Sequence, residues 1–328
     1  MGERKGQRLG RYVLLEHLAS GGMAEIFLAR YEAAGGFSKD LVLKTLQGRY
    51  AEDPKVVAMF LDEARLAAKL NHPSIVDVFD VGEEGGVHFI AMEHIPGKTL
   101  TDVMRRGIEI GQILPITHAA LIISQVAEGL AHVNEGLDVD GRPFDIVHRD
   151  ISPSNLVVGF AGQTKIIDFG IAKESARIKD ESGVRPGKLS YMSPEQAQAL
   201  ALDGRSDLFS LGIILYEITL RKRLWRGPAQ TVLRRIVQEA PPPPTFVDHD
   251  YPRDLELIVL RALEKKPENR YRSGAEMARD LERFLDGTGA RPGGRDVALY
   301  IETLFAPGTE ASAKGSRRAM AYLSDDDL

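Results

Sequence analysis

Cysteine is absent from these 328 residues, which excludes disulfides and thiolate chemistry. That fits a reducing cytoplasm, the expected location. Long apolar runs are missing too. Ala119–Ile123 is short and then interrupted, so nothing approaches the ~20 apolar residues of a membrane-spanning helix. The N-terminus is polar and carries no apolar signal core. Charge of one sign is not in large excess: 42 Lys and Arg stand against 47 Asp and Glu, a net charge of −5. Basic pairs such as Arg105-Arg106 and Arg234-Arg235 are scattered, so they read as solvated faces, and no nucleic-acid footprint is expected. No internal repeat is visible. What the chain does have is 43% hydrophobic residues, enough to bury a core in one large or two ordinary domains.

The first ~95 residues read as short strands with one helix. Tyr12–Leu18 and Ile26–Arg30 flank a Gly-containing turn, and Leu41–Leu46 is a third strand. Asp53-Pro54 is an N-cap and first-turn Pro for a helix running to about Leu70, where Asn71-His72-Pro73 ends it. Val76–Val81 and Val87–His94 are two more strands joined through Glu84-Gly85-Gly86. From about residue 99 helical periodicity dominates, with runs at 117–135, 206–221, 229–239, 253–264 and 274–285. The pattern predicts an α+β protein, a small β-rich lobe followed by a larger helical one. Gly136–Asp145, with its Asp140-Gly141 turn signal, reads as a surface insertion, and Pro241–Pro244 as a stiff linker between helices. Residues 287–294 are Gly- and Pro-rich, 297–305 form one more helix, and 306–328 read as disordered, ending in Asp325-Asp326-Asp327.

The residues that carry chemistry are clustered. His148-Arg149-Asp150 is followed five residues after the Asp by Asn155, and then by Asp168-Phe169-Gly170. Phosphoryl transfer asks for an oriented acceptor hydroxyl, metal ions on the phosphates and positive charge near the transferring group. Asp150 has the chemistry to take the hydroxyl proton, and Asn155 and Asp168 supply hard oxygens suited to Mg²⁺. Any one Asp alone would be an ordinary cap or turn residue; the ordered set is the signal. Upstream, Glu63 shares a helix face with Phe60 and Ala67, where an unpaired carboxylate would be costly. Lys44, 19 residues earlier on a predicted strand, resolves that cost by pairing with it.

This set resembles a protein kinase. The matching elements are Leu41-Val42-Leu43-Lys44, Glu63, the 148–155 loop, Asp168-Phe169-Gly170, Ser193-Pro194-Glu195, Asp207 and Arg270. Gly21-Gly22-Met23, His72-Pro73 and Tyr191-Met192-Ser193-Pro194-Glu195-Gln196 give it the character of eukaryotic-like bacterial serine/threonine kinases. The resemblance implies a bilobal kinase fold: an N-terminal extension at 1–11, a kinase domain at 12–286 with lobes at about 12–95 and 96–286, and a tail at 287–328. It implies transfer of the γ-phosphoryl group of ATP to Ser/Thr hydroxyls of protein substrates, including the chain itself. ATP and Mg²⁺ are the implied cofactors, with Mn²⁺ as a substitute; oligomeric state stays open. By the same resemblance, Lys44 touches the α/β-phosphates and pairs with Glu63, Asp150 is the base, and Asn155 and Asp168 hold the metal. Ile26, Val42 and Val157 would sandwich adenine, Met92 would guard the deeper pocket, and the backbone of Glu93 and Ile95 would bond the adenine edge. Leu18, Ala19, Gly21, Gly22 and Ala24 would cover the nucleotide. Glu195 would pair with Arg270, and Asp207 would brace the catalytic loop. Alternatives are a pseudokinase scaffold and a small-molecule phosphotransferase; the first would need a missing catalytic residue, and the segment from Asp168 to Glu195 with Arg270 argues against the second.

The chain departs from the family at four places. Three glycines are expected where Ala19, Gly21 and Ala24 stand, and an alanine in the left-handed region costs about 1–2 kcal/mol, so weaker ATP binding is expected. Val42 is larger than the usual Ala. Ser152 stands where serine/threonine kinases have Lys, while Lys188 stands where they have Thr, which suggests that the catalytic charge has moved between loops; the alternative is a surface lysine and a tolerated loss. Activation-segment phosphorylation, if used, would fall on Ser175 or Ser182, because no Thr lies between Asp168 and Glu195.

Overall fold

The computed structural model describes residues 6–138, 140–169 and 189–308. Two compact units emerge, one from 6–71, 76–95 and Phe169, the other from 72–75, 96–138, 140–168 and 189–308.

The first unit is a six-stranded antiparallel sheet ordered β1-β2-β3-β4-β6-β5. Its strands are β1 (Arg8–Leu9), β2 (Tyr12–Ser20), β3 (Ala24–Glu32), β4 (Ser38–Leu46), β5 (Val78–Glu84) and β6 (Val87–Glu93). Gly85 and Gly86 turn β5 into β6 with φ of 57° and 77°. Two successive left-handed residues match the twist of a tight hairpin, which is why glycine stands at both. Side chains alternate across the pleat. Phe27, Ala29, Leu41, Leu43, Phe89 and Ala91 close a core on one face. On the other, Ala24, Leu46 and Ile90 pack against Phe60 and Ala64 of helix α2 (Pro54–Ala67), which follows the one-turn α1 (Gly48–Ala51). The expected cap is present: the Asp53 side chain accepts the Lys55 amide at 2.9 Å. The helix ends at Ala67, three residues before the expected Leu70; Lys69 and Leu70 continue it as tighter turns onto Leu66 and Ala67 carbonyls.

The second unit is mainly helical: α3 (Leu100–Ile110), α4 (Ile116–Glu135), α5 (Pro194–Ala197), α6 (Arg205–Leu220), α7 (Ala229–Gln238), α8 (Pro244–Val247), α9 (Arg253–Ala262), α10 (Gly274–Gly287) and α11 (Gly294–Leu304). Helix α6 is buried on all sides from Ser206 to Leu220, mostly apolar as a central core helix is, with Asp207 and Glu217 as its buried carboxylates. The stretch expected to be helical also holds a three-stranded sheet, β7 (Gly97–Thr99), β8 (Leu156–Gly159) and β9 (Thr164–Ile166). Strands of three or four residues are too short for a period of two to register. Helix α11 starts three residues before the expected 297, because the Asp296 carboxylate accepts the Gly293 amide at 2.7 Å and extends the first turn. Val297, Ile301 and Leu304 bury its inner face. Tyr300 donates to the Gln112 carbonyl at 3.0 Å and Arg106 to that of Leu304 at 3.2 Å. Gly162, with φ of 83°, lets the β8–β9 turn meet the start of α11; a Cβ there would lie 1.7 Å from the Gly294 oxygen.

The insertion is largely exposed, closed by a Leu137–Pro143 bridge and a left-handed Gly141. Its Phe144 ring sits 5.6 Å from that of His132, which stacks on His72 at 5.3 Å. Residues 309–328 lie outside the described residues. Among the described residues no helix is long and apolar enough to cross a membrane.

Candidate active site

In the β-rich unit the register places Ala19 opposite Ile26, Ile26 opposite Lys44, Val42 opposite Met92 and Ala24 opposite Leu46. Residues directly opposite, or two apart on one strand, share a face. Ala19, Ala24, Ile26, Val42, Lys44 and Met92 therefore lie on one face of the sheet. Lys44 Nζ lies 2.7 Å from Glu63 Oε1, with both side chains 10% exposed. Each charge compensates the burial of the other. The Glu93 amide donates to the Asp77 carbonyl at 2.8 Å, and Ile95 is half-buried just beyond β6.

The glycine-poor turn differs from expectation. Ala19 and Ala24 sit within β2 and β3, and neither they nor Gly21 and Gly22 have positive φ. The strain expected for left-handed alanine does not arise, and the inference of weaker ATP binding loses that basis. Bonds from Gly21 N to Ala24 O (2.8 Å) and from Gln47 N to Met23 O (2.9 Å) close the turn instead. Leu18, just before it, is 46% exposed.

In the helical unit the 148–155 loop is held by side chains on its backbone. Asp207, fully buried at the start of α6, accepts the amides of His148 and Arg149 at 2.8 Å each. Burial pushes its carboxyl up to about 7, with the two amides pulling the other way. The Asp150 amide donates to His148 Nδ1 at 3.3 Å. Asn155 Nδ2 donates to both the Asp150 carbonyl (2.8 Å) and its Oδ2 (2.7 Å). With its nitrogen so committed, Asn155 keeps Oδ1 as the side chain's one acceptor atom. The Ile167 amide donates to the Asn155 carbonyl at 2.9 Å, tying the strand that leads to Asp168 to this turn. Arg149 and Asp168 are both left-handed, with φ of 67° and 61°. Such strain in non-glycine residues is held in place by surrounding bonds and gathers at working sites.

Val157, on β8 opposite Lys165, is half-buried. Ser152 is 3% exposed, with its hydroxyl 3.0 Å from that of Ser154. Lys188, Ser175, Ser182 and Gly170 lie outside the described residues.

The supports downstream of the loop are formed. Arg270 NH1 and NH2 meet the two Glu195 oxygens at 2.7 and 2.8 Å, and Ser206 Oγ donates to Glu195 Oε1 at 2.6 Å. Burial acts to raise the Glu195 carboxyl, but Arg270 and Ser206 outweigh it and hold it below the usual range. Tyr191 donates to the buried Glu217 at 2.8 Å, and Arg223 donates to the same carboxylate at 3.1 Å. A further contact has no counterpart among the sequence expectations: Gln196 Nε2 donates to the Arg149 carbonyl at 2.9 Å. The Ser193-x-x-Gln196 spacing of a capping box was the available signal, but it points to a helix start and not to a residue 47 positions away.

Comparison with known proteins bears on the whole arrangement. A family model described as the protein kinase domain matches residues 12–280. Tyrosine-protein kinase MasK of Myxococcus xanthus is 41% identical over 292 residues, covering 87% of this chain and 45% of MasK. Serine/threonine-protein kinase PknB of Mycobacterium tuberculosis is 35% identical over 285 residues, covering 84% of this chain and 43% of PknB. The crystal structure of the Mycobacterium tuberculosis PknI kinase domain matches with a TM-score of 0.63 at 25% identity, covering 86% of this chain and 99% of that one. The fold is therefore the bilobal α+β fold of protein kinases. The chain belongs to the protein kinase family, and it spans less than half the length of the curated relatives it matches.

Proposed function

We propose that the chain transfers the γ-phosphoryl group of ATP to Ser or Thr hydroxyls of proteins, itself included. The observation that carries this reading is the Asn155 clamp on Asp150, which orients a carboxylate beside a hard-oxygen metal ligand. Asp150 takes the proton as the acceptor oxygen bonds to phosphorus and the bond to ADP breaks. Lys44, oriented by Glu63, holds the α/β-phosphates. Asn155 and Asp168 offer one amide oxygen and one carboxylate, a donor set that fits Mg²⁺, which uses few protein ligands and completes its shell with phosphate and water. Mn²⁺ suits the same donors. When bound, the metal neutralises charge building on the phosphates. Ile26, Val42, Met92 and Val157 provide apolar surface for adenine, with the Glu93–Ile95 backbone at its edge. Leu18, Ala19, Gly21, Gly22 and Ala24 cover the nucleotide. Lys188 supplies the positive charge that Ser152 cannot. The kinase domain is taken as 12–286, and the cysteine-free chain is placed in the cytoplasm with protein and not nucleic-acid partners.

A tyrosine acceptor is the second reading. It is favoured by the similarity to MasK and by Ser152 at the position where serine/threonine kinases carry Lys. Incubation with labelled ATP and Mg²⁺, followed by phosphoamino-acid analysis, separates the two. Label on Ser or Thr supports the first, label on Tyr alone overturns it, and no label above an Asp150→Asn control returns the chain to a scaffold role.

A further inference from the structure

We propose that Gln196 is a positioning residue for Asp150: its side-chain amide fixes the Arg149–Asp150 peptide in the orientation that aims the carboxylate. The inference rests on the reading of Asp150 as the base.

That peptide is held at both poles. Its N–H donates to His148 Nδ1 at 3.3 Å, and its carbonyl accepts from Gln196 Nε2 at 2.9 Å. The neighbouring groups are also engaged: Asp207 takes the amides of His148 and Arg149, and Asn155 holds the Asp150 carbonyl and Oδ2. His148, Asn155 and Asp207 belong to the family pattern read from the sequence. Gln196 is the contributor whose contact that pattern did not anticipate. Arg149 has φ of 67°, a left-handed backbone that surrounding bonds must hold, and the peptide that follows it can rotate about the bonds at its two ends. Such a rotation changes φ at Asp150 and carries the carboxylate with it. The Gln196 bond opposes that rotation. A displacement of a catalytic group by about 1 Å is enough to cost two orders of magnitude in rate.

Gln196 has a second task. Its Oε1 accepts the Ser193 amide at 2.9 Å, and its backbone N–H donates to Ser193 Oγ at 3.2 Å, forming the box that starts α5. One side chain thus links the start of α5 to the backbone of the loop that carries the base. Setting of the 189–196 segment is thereby transmitted to the aim of Asp150.

The two tasks are separable. Gln196→Glu keeps an acceptor for the Ser193 amide, and Glu is itself a natural member of such a box. It loses the donor to the Arg149 carbonyl. Gln196→Met fills a similar volume with neither bond. Both are assayed in the 328-residue chain with Mg²⁺-ATP and dephosphorylated casein, beside the parent and Asp150→Asn. The positioning role requires Gln196→Glu to lower kcat by about tenfold, the worth of one such hydrogen bond. KM for ATP should stay within about twofold, and the thermal midpoint should fall by no more than a few degrees, the size of one lost hydrogen bond. Gln196→Met should lose at least as much kcat. Parental kcat in Gln196→Glu overturns the proposal, as does a loss of kcat that tracks a lowered thermal midpoint in both variants. Turnover retained by Asp150→Asn would instead remove the base reading, an outcome distinct from parental activity in Gln196→Glu with Asp150→Asn inactive.

Discussion

Arg270 closes on Glu195 with two parallel bonds of 2.7 and 2.8 Å, and the rest of its guanidinium is spent on backbone. Its Nε donates to the Glu264 carbonyl, NH1 also to that of Arg205, and NH2 also to that of Lys265. The five N–H groups of a fully buried arginine are thus all satisfied. The pair joins the segment after residue 188 to the loop before α10.

Removing one partner should unfold more than it loosens. Arg270→Met leaves the Glu195 carboxylate buried and uncompensated, so a loss of about 3–5 kcal/mol is expected, read from urea denaturation. A loss below about 1 kcal/mol would mean that solvent reaches the site in its place.

Glu195 also sets a pH dependence. Its carboxyl is held below its ordinary 4.5, so its contribution is present above 4.5 and disappears as pH falls through the lower folded value. Thermal midpoints of the parent should therefore drop below pH 4.5 more steeply than those of Glu195→Gln, which starts from a lower stability. Parallel curves would show that Glu195 ionises alike folded and unfolded.

Asp207 acts in the opposite sense. A carboxyl raised from 3.8 to about 7 contributes stability below 3.8 that is lost as pH rises through about 7. The stability advantage of the parent over Asp207→Asn should thus shrink between pH 4 and 7. A widening gap would show that the two amide donors win over burial.

Lys188→Ala should lower turnover by about 10²–10³ with little change in ATP binding, as expected for loss of a charge aimed at the transferring group. Adding Ser152→Lys to Lys188→Thr should recover part of that turnover, though Ser152 is only 3% exposed and a lysine must extend out of that position. Turnover within about threefold of the parent, under 1 kcal/mol, would reduce Lys188 to a surface charge.

Much of this could be read in the chain because the signals are local or strongly spaced. Asp53-Pro54 announced α2, and the buried company of Glu63 announced its partner, found 2.7 Å away. Asp207 and Arg270 came through family resemblance, and their bonds are as that resemblance implied. Three things were not legible. Strands β7 to β9 are too short to show alternation and owe their existence to one another. Ala19 and Ala24 were read by the rule that missing glycine means strain, but the strands run on through both positions. Gln196 reaches a carbonyl far away in sequence, and no spacing reveals a bond of that kind.

Helix α11 lies beyond residue 280, where the family match ends, yet Val297, Ile301 and Leu304 are fully buried in the main core. Burying each such side chain is worth about 1.5–3 kcal/mol. A chain cut at 286 would uncover the surfaces of α3 and β8 that α11 contacts, near Arg106 and Gly162. Such a fragment would carry an intact set of catalytic motifs and a raw apolar scar beside them. It would be prone to clump before it could be assayed, so an inactive short form would report on solubility and not on chemistry.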